Sequence, residues 1–98
     1  MVVTPARFTE SLSRPVPPAR LGAALQGLWW AAKGEWDRAH QLVQNEESAE
    51  AAWVHAYLHR VEGDLANASY WYRRAGRAAA SGPLDEEWQA IAAGLLRT

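Results

Sequence analysis

The pattern of apolar and polar positions divides most of the chain into helical segments. From residue 19 onward, alanine, leucine and tryptophan recur at the three- and four-residue spacings of amphipathic helices, and no stretch alternates like a strand. Gly, Asn, Ser or Pro interrupt this pattern at four places. The sequence therefore predicts an all-α fold. Its five predicted helices cover residues 19–33, 35–44, 49–62, 65–79 and 84–97.

The first 18 residues differ from the rest in their proline content. Four of the five prolines lie here, at Pro5, Pro15, Pro17 and Pro18. Proline removes a backbone donor and disfavours helix in the preceding residue. We therefore expect an extended arm over 1–18, followed by a single helical domain over 19–98. Phe8 and Leu12 are four residues apart, so one helical turn is possible before Pro15.

An internal repeat organises the predicted domain. Small residues on facing helices let two backbones approach, and a glycine at the bend permits a positive φ. The repeat predicts two helical hairpins that superpose on each other. A shift of 29 residues aligns Gly34 with Gly63, Glu35 with Asp64, Ala39 with Ala68 and Gly27 with Ala56.

The second hairpin resembles a tetratricopeptide repeat. Residues 63–75 are similar to the second half of that motif, and the family's order of small, glycine, small, aromatic and alanine positions is matched by Ala56, Gly63, Ala68, Tyr72 and Ala75. The resemblance covers residues 21–80 and implies a five-helix TPR-like bundle of two hairpins. The last predicted helix would cap it with one apolar stripe of Leu84, Trp88, Ile91, Ala92 and Leu95. The family period is about 34 residues, so the first hairpin should have a shortened second helix.

Charge and composition narrow the possible functions. Ten Lys and Arg against eleven Asp and Glu give no basic excess, so neither nucleic acid nor an anionic membrane is favoured as a partner. The longest apolar run, 21–32, is too short to span a bilayer and no secretion signal is readable, which predicts a cytoplasmic protein. The absence of cysteine excludes disulfides and thiolate sites. No phosphate-binding loop or nucleophile motif indicates an enzyme.

The first candidate site is a stripe of aromatic and charged residues. Six tryptophans are too many to bury completely in 98 residues, so part of this aromatic surface should be exposed. Aromatic residues beside an arginine are typical anchors for a peptide or partner helix. The stripe predicts a protein-interaction module or homo-oligomeric scaffold, such as a homodimer; the alternative is packing against the arm or a neighbouring subunit. In the family's geometry, the groove face of the third predicted helix carries Glu50, Trp53, Tyr57 and Arg60.

The second candidate site is a set of polar residues on the same helix. His55, His59 and Glu62 follow one another at i, i+4 and i+7 and share a face. Two histidines at this spacing can chelate a divalent metal, and the carboxylate would complete a three-ligand set. This predicts, as an alternative function, a small-molecule or metal-dependent site. The competing interpretation is a pair of buried, hydrogen-bonded structural histidines. His40 has no other histidine at a helical spacing, so its position in the sequence does not indicate a metal ligand.

The resemblance adds one expectation about these histidines. The family places large apolar residues at the positions of His55 and His59, which implies that both side chains are at least half buried.

Overall fold

A computed structural model describes residues 3–97, and all regular secondary structure in this range is helical. Within this range there is no strand, as the sequence predicts, but there are six α-helices where five are expected, because one lies in the arm. The first two residues of the arm and the last residue of the domain lie outside the described residues. The elements are α1 (Pro5–Glu10), a 3₁₀ turn (Ser11–Ser13), α2 (Ala23–Ala32), α3 (Trp36–Val43), α4 (Ala49–Val61), α5 (Leu65–Ala75) and α6 (Leu84–Leu96).

Side-chain caps and one glycine set the limits of the second hairpin. The Ser48 hydroxyl accepts a hydrogen bond from the Ala51 backbone N–H at 3.0 Å and starts α4. α5 ends at Ala75 and not at 79, because Gly76 adopts a left-handed conformation (φ 72°) that closes the helix. The segment between α5 and α6 is therefore longer than predicted.

The two hairpin bends have the same local geometry. Gly34 and Gly63 have φ values of 81° and 86°, which only glycine adopts without strain. In each bend the following residue closes the turn: the Glu35 N–H donates to the Trp30 carbonyl at 3.0 Å, and the Asp64 N–H donates to the His59 carbonyl at 2.9 Å. The predicted 29-residue repeat is therefore present at both bends. The resemblance to tetratricopeptide repeats stays a prediction.

Small residues bring the helices of the first hairpin together. A Cβ atom added to Gly27 would lie 2.9 Å from Val43 Cγ1 and 3.3 Å from the Ala39 carbonyl oxygen. Gly27 and Ala39 are therefore in close contact. This contact leaves no space for a larger residue at position 27 of α2.

The N-terminal arm is not extended between residues 5 and 13. The Thr4 hydroxyl accepts from the Arg7 N–H, and Pro5 occupies the first turn, where its missing donor costs nothing. α1 then packs on α6: Phe8 is fully buried and its ring stacks on Trp88 with centroids 5.5 Å apart. The sequence allows one helical turn around Phe8 and Leu12 but predicts it within an extended arm, because four prolines dominate the composition of the segment; the structure has a helix and a 3₁₀ turn there.

Three hydrogen bonds, two of them from Lys33 to the Leu12 and Arg14 carbonyls, connect the arm to α2 and the residue that follows it. The Trp29 indole N–H donates to Ser11 Oγ at 3.0 Å, and Lys33 Nζ donates to the Leu12 carbonyl at 2.6 Å. The apolar edge beside α2 is thus covered by the chain's own first residues.

The predicted apolar stripe of α6 is largely buried against the rest of the molecule. Trp88, Ile91 and Ala92 are buried, whereas Leu84 at the start of the helix is exposed. The Trp88 indole N–H donates to the Leu28 carbonyl at 2.8 Å, which connects α6 to α2. Within residues 3–97, no helix is both long enough and apolar enough to cross a membrane.

Candidate metal centre

Three histidines from two helices meet where the hairpins stack. α3 supplies His40, and α4 supplies His55 and His59. One ring nitrogen from each histidine lies within 4.8 Å of the other two. His40 Nε2 and His55 Nε2 are 3.0 Å apart, so one ring donates its N–H to the unprotonated nitrogen of the other.

The two histidines of α4 are buried. His55 is 3% exposed and His59 is 6% exposed, which confirms the expectation that both are more than half buried. His40 is partly exposed, so the cluster approaches solvent on the side of α3.

Glu62 is hydrogen-bonded to the His59 ring. The His59 Nδ1–H donates to Glu62 Oε1 at 2.5 Å, which leaves Nε2 of His59 free. Glu62 also lies with His59 and Asp64 in a second group of possible ligand atoms, of which both carboxylates are exposed. The structure therefore does not assemble the predicted set of His55, His59 and Glu62. In the group of three ligand atoms that includes both His55 and His59, the third residue is His40 and not Glu62.

Tryptophan rings form two walls of the cluster. Trp36 stacks on His40 at 4.8 Å between centroids, and its indole N–H donates to the Leu58 carbonyl at 2.7 Å. Trp71, from α5, stacks on His55 at 3.8 Å. Because these contacts restrict both rings, the histidines are held in place before any ligand binds.

Burial favours neutral imidazoles in this cluster. Desolvation, followed by the nearby His40 and His59, lowers the pKa of His55 from 6.5 to about 4. Desolvation and the neighbouring His59 also lower the pKa of His40. Both rings therefore keep an unprotonated nitrogen near neutral pH, as a metal ligand must.

One buried nitrogen of the cluster has no partner in the described part of the protein. His55 Nδ1 is enclosed and makes no hydrogen bond. Buried polar atoms are almost always satisfied, because desolvation without a hydrogen bond costs about 1–3 kcal/mol. The unpaired nitrogen is Nδ1, whereas Nε2 of the same ring faces His40.

The dimensions of the cluster suit a metal ion. Zinc–nitrogen bonds of about 2.0–2.1 Å place two ligand nitrogens of a tetrahedral site about 3.3 Å apart. The 3.0 Å between His40 Nε2 and His55 Nε2 is near that value, and a ring nitrogen of His59 lies within 4.8 Å of both other ligand atoms.

The predicted partner-binding stripe lies mostly inside the molecule. Trp53 and Tyr57 are buried, and the Arg77 guanidinium lies 3.6 Å from the centre of the Trp53 ring. Arg60 donates to Glu87 of α6, and only Glu50 of the predicted set is exposed. Little of either aromatic side chain is therefore presented to a partner, although the edge of Trp53 lines two surface clefts.

Glu87 explains why α6 occupies this face. Its carboxylate is buried and accepts from Arg60 Nη1 at 2.8 Å and from the Tyr72 hydroxyl. Burial, and then the hydrogen bond to Glu87, raise the pKa of Tyr72. The position of Glu87 in the first turn of α6 indicates only a solvated acid at a helix start, so sequence reasoning missed this network.

His40 is the member of the histidine cluster that sequence reasoning missed. Its partners are 15 and 19 positions away, so no short-range spacing reveals them. One signal was present: consecutive hairpins that stack bring the second helix of one against the first helix of the next.

No family model, no curated protein and no solved structure matches this chain.

Proposed function

We propose that this protein binds one divalent transition-metal ion through His40, His55 and His59. The observation that carries the proposal is that these three ring nitrogens, from two different helices, lie within 4.8 Å of one another. Such a set is the protein part of a three-histidine site with a further coordination position.

The surroundings of the cluster support this proposal. Ligand histidines commonly donate their second ring N–H to a carboxylate, which orients the ring and increases its basicity, and Glu62 does this for His59. The lowered pKa of His55 keeps its ring neutral, so that the ring retains an unprotonated nitrogen.

The chemistry of the donors defines the class of metal. All three are imidazoles, the chain has no cysteine, and no carboxylate joins this group among residues 3–97. Imidazole suits Zn²⁺, Cu²⁺ and Ni²⁺, whereas Mg²⁺, Ca²⁺ and Mn²⁺ prefer oxygen donors. We therefore expect zinc-class ions to bind and magnesium-class ions not to bind.

Metal titration of the whole chain tests the proposal. The wild-type protein should bind one Zn²⁺ per chain by calorimetry and elemental analysis, and His40→Gln should lose most of this affinity. Gln41→Ala is the matched control, because Gln41 is an exposed neighbour on the same helix. Absence of stoichiometric zinc in the wild type, or equal affinity in His40→Gln, would contradict the proposal.

Glu62→Gln tests the role of the carboxylate. Loss of the hydrogen-bond partner of a ligand histidine costs about 10- to 100-fold in metal affinity. We expect this loss with unchanged stoichiometry, and a larger loss for His40→Gln. Glu46→Gln, an exposed change of the same charge, should have no effect.

A second proposal concerns association. A dimer through the outer face of α2 cannot use Trp29, because that side chain is fully buried within the chain. Trp30 remains partly exposed, with the Arg38 guanidinium 4.3 Å from its ring centre. Tryptophan and arginine are enriched at the energetically important positions of interfaces. This pair supports a homodimer through the outer face of α2 and α3.

A further inference from the structure

We infer that the metal ion keeps one coordination position open and that a small anion binds there. This inference rests on the proposed metal binding, which it extends from the protein ligands to the exogenous one. The inference rests on the number of ligands that the protein supplies to the ion. Among residues 3–97, the group within 4.8 Å contains three histidines and no carboxylate, whereas ions of the zinc class take at least four ligands. Water therefore fills the remaining position until another ligand displaces it.

Glu62 does not supply the missing ligand. Its Oε1 atom is 2.5 Å from His59 Nδ1, so the ring nitrogen of His59 that is left for the ion is Nε2. The two nitrogens of an imidazole point in different directions. A carboxylate bonded to Nδ1 therefore lies away from an ion at Nε2.

The partial exposure of His40 gives the open position a route to solvent. His55 and His59 are buried, and Trp71 covers the His55 ring. His40 is partly exposed, although Trp36 covers one face of its ring. An exogenous ligand thus reaches the ion from the side of α3.

The size of this opening restricts the ligand. The surface clefts of about 220 to 630 Å³ are lined by other residues and not by the three histidines. Tryptophan rings lie against His40 and His55, so we expect only a ligand of a few atoms to reach the ion. A divalent ion held by neutral imidazoles is also the largest positive charge nearby, which favours an anion.

Cobalt spectroscopy on the full chain tests the inference, because the visible absorption of Co²⁺ reports its coordination. The protein is loaded with Co²⁺ and titrated with sodium azide, and with sodium benzoate as a larger anion. We expect a saturable change of the spectrum with one azide per cobalt, and no change with benzoate at the same concentration. One equivalent of Zn²⁺ should remove the cobalt spectrum.

The outcomes separate the two proposals. A cobalt spectrum that azide leaves unchanged overturns the open position while metal binding stands. Absence of any protein-bound cobalt spectrum overturns metal binding, and the open position with it. A response to benzoate equal to that to azide overturns the size limit.

A matched pair of variants tests whether Glu62 is a ligand after all. Glu62→Gln should leave the shape of the azide-free cobalt spectrum unchanged, as should Glu46→Gln. A spectrum of higher coordination number in wild type that Glu62→Gln converts to a lower one would make Glu62 a ligand and close the open position.

Discussion

His55 combines deep burial with a strongly lowered pKa. Its pKa is about 4 in the folded protein, against 6.5 for an exposed histidine, because desolvation and the neighbouring His40 and His59 disfavour the charged ring. The unfolded chain therefore binds more protons than the folded one between these two pH values. By linkage, stability present at pH 7 is lost as the pH falls from 6.5 towards 4.

This linkage gives a pH-dependent prediction for the metal-free protein. The free energy of unfolding should fall by about 3 kcal/mol from this residue across that window. Urea denaturation at pH 7 and at pH 4.5 measures the change, and His55→Gln should reduce it. An identical pH dependence in wild type and variant would show that His55 does not titrate in this way.

The crossing of α4 and α5 depends on small residues. Ala56 and Ala68, one on each helix, are both buried, as the repeat predicts. Ala68→Leu should overpack this crossing and cost about 1–3 kcal/mol. Ala66→Leu is the matched control on the same helix, because Ala66 is exposed and leucine is nearly as good a helix former as alanine. Thermal melts with equal shifts for the two variants would remove the support for this crossing.

The first and last helices of the described chain pack against each other and complete the hydrophobic core. Phe8 of α1 is fully buried against Trp88 of α6, so the first and last helices share the core with both hairpins. Phe8→Ala should therefore cost about 3–5 kcal/mol, as for other buried aromatic residues. Val16→Ala, in the exposed part of the arm, should cost much less. Chemical denaturation compares the two, and similar losses would mean that the arm does not belong to the core.

Association is the remaining property of the whole molecule that the sequence predicts. We expect a dimer at tens of micromolar by light scattering coupled to size exclusion. The change Trp30→Ser should shift it to monomer without unfolding, because Trp30 is only partly buried within the chain. A monomeric wild type would overturn the proposed homodimer.

Local signals predicted the helices and the bends. Apolar spacing, the Ser48 cap and the glycines at 34 and 63 act within a few residues, so the five predicted helices and both bends are present with shifts of a few positions. The end of α5 was missed because helical spacing was followed past Gly76, although a glycine at a helix end is itself a local signal.

The candidate site was only half predictable. The spacing of His55 and His59 on one helix showed that they share a face, and burial of both was expected. His40 comes from a different hairpin, and its place depends on how α3 packs on α4. Glu62 was within reach of the histidines, but its hydrogen bond to Nδ1 of His59 depends on how that ring is rotated.

The all-α fold, the hairpin repeat and the histidine pair of α4 can be predicted from the sequence alone, because each follows from the spacing of residues along one segment of backbone. Contacts between distant segments decide the rest: α1 on α6, α6 over Trp53 and Tyr57, and His40 beside His55. Such contacts form only when apolar faces from the whole chain compete for one core, and periodicity does not encode which face meets which. A three-histidine cluster therefore exists only in the folded chain.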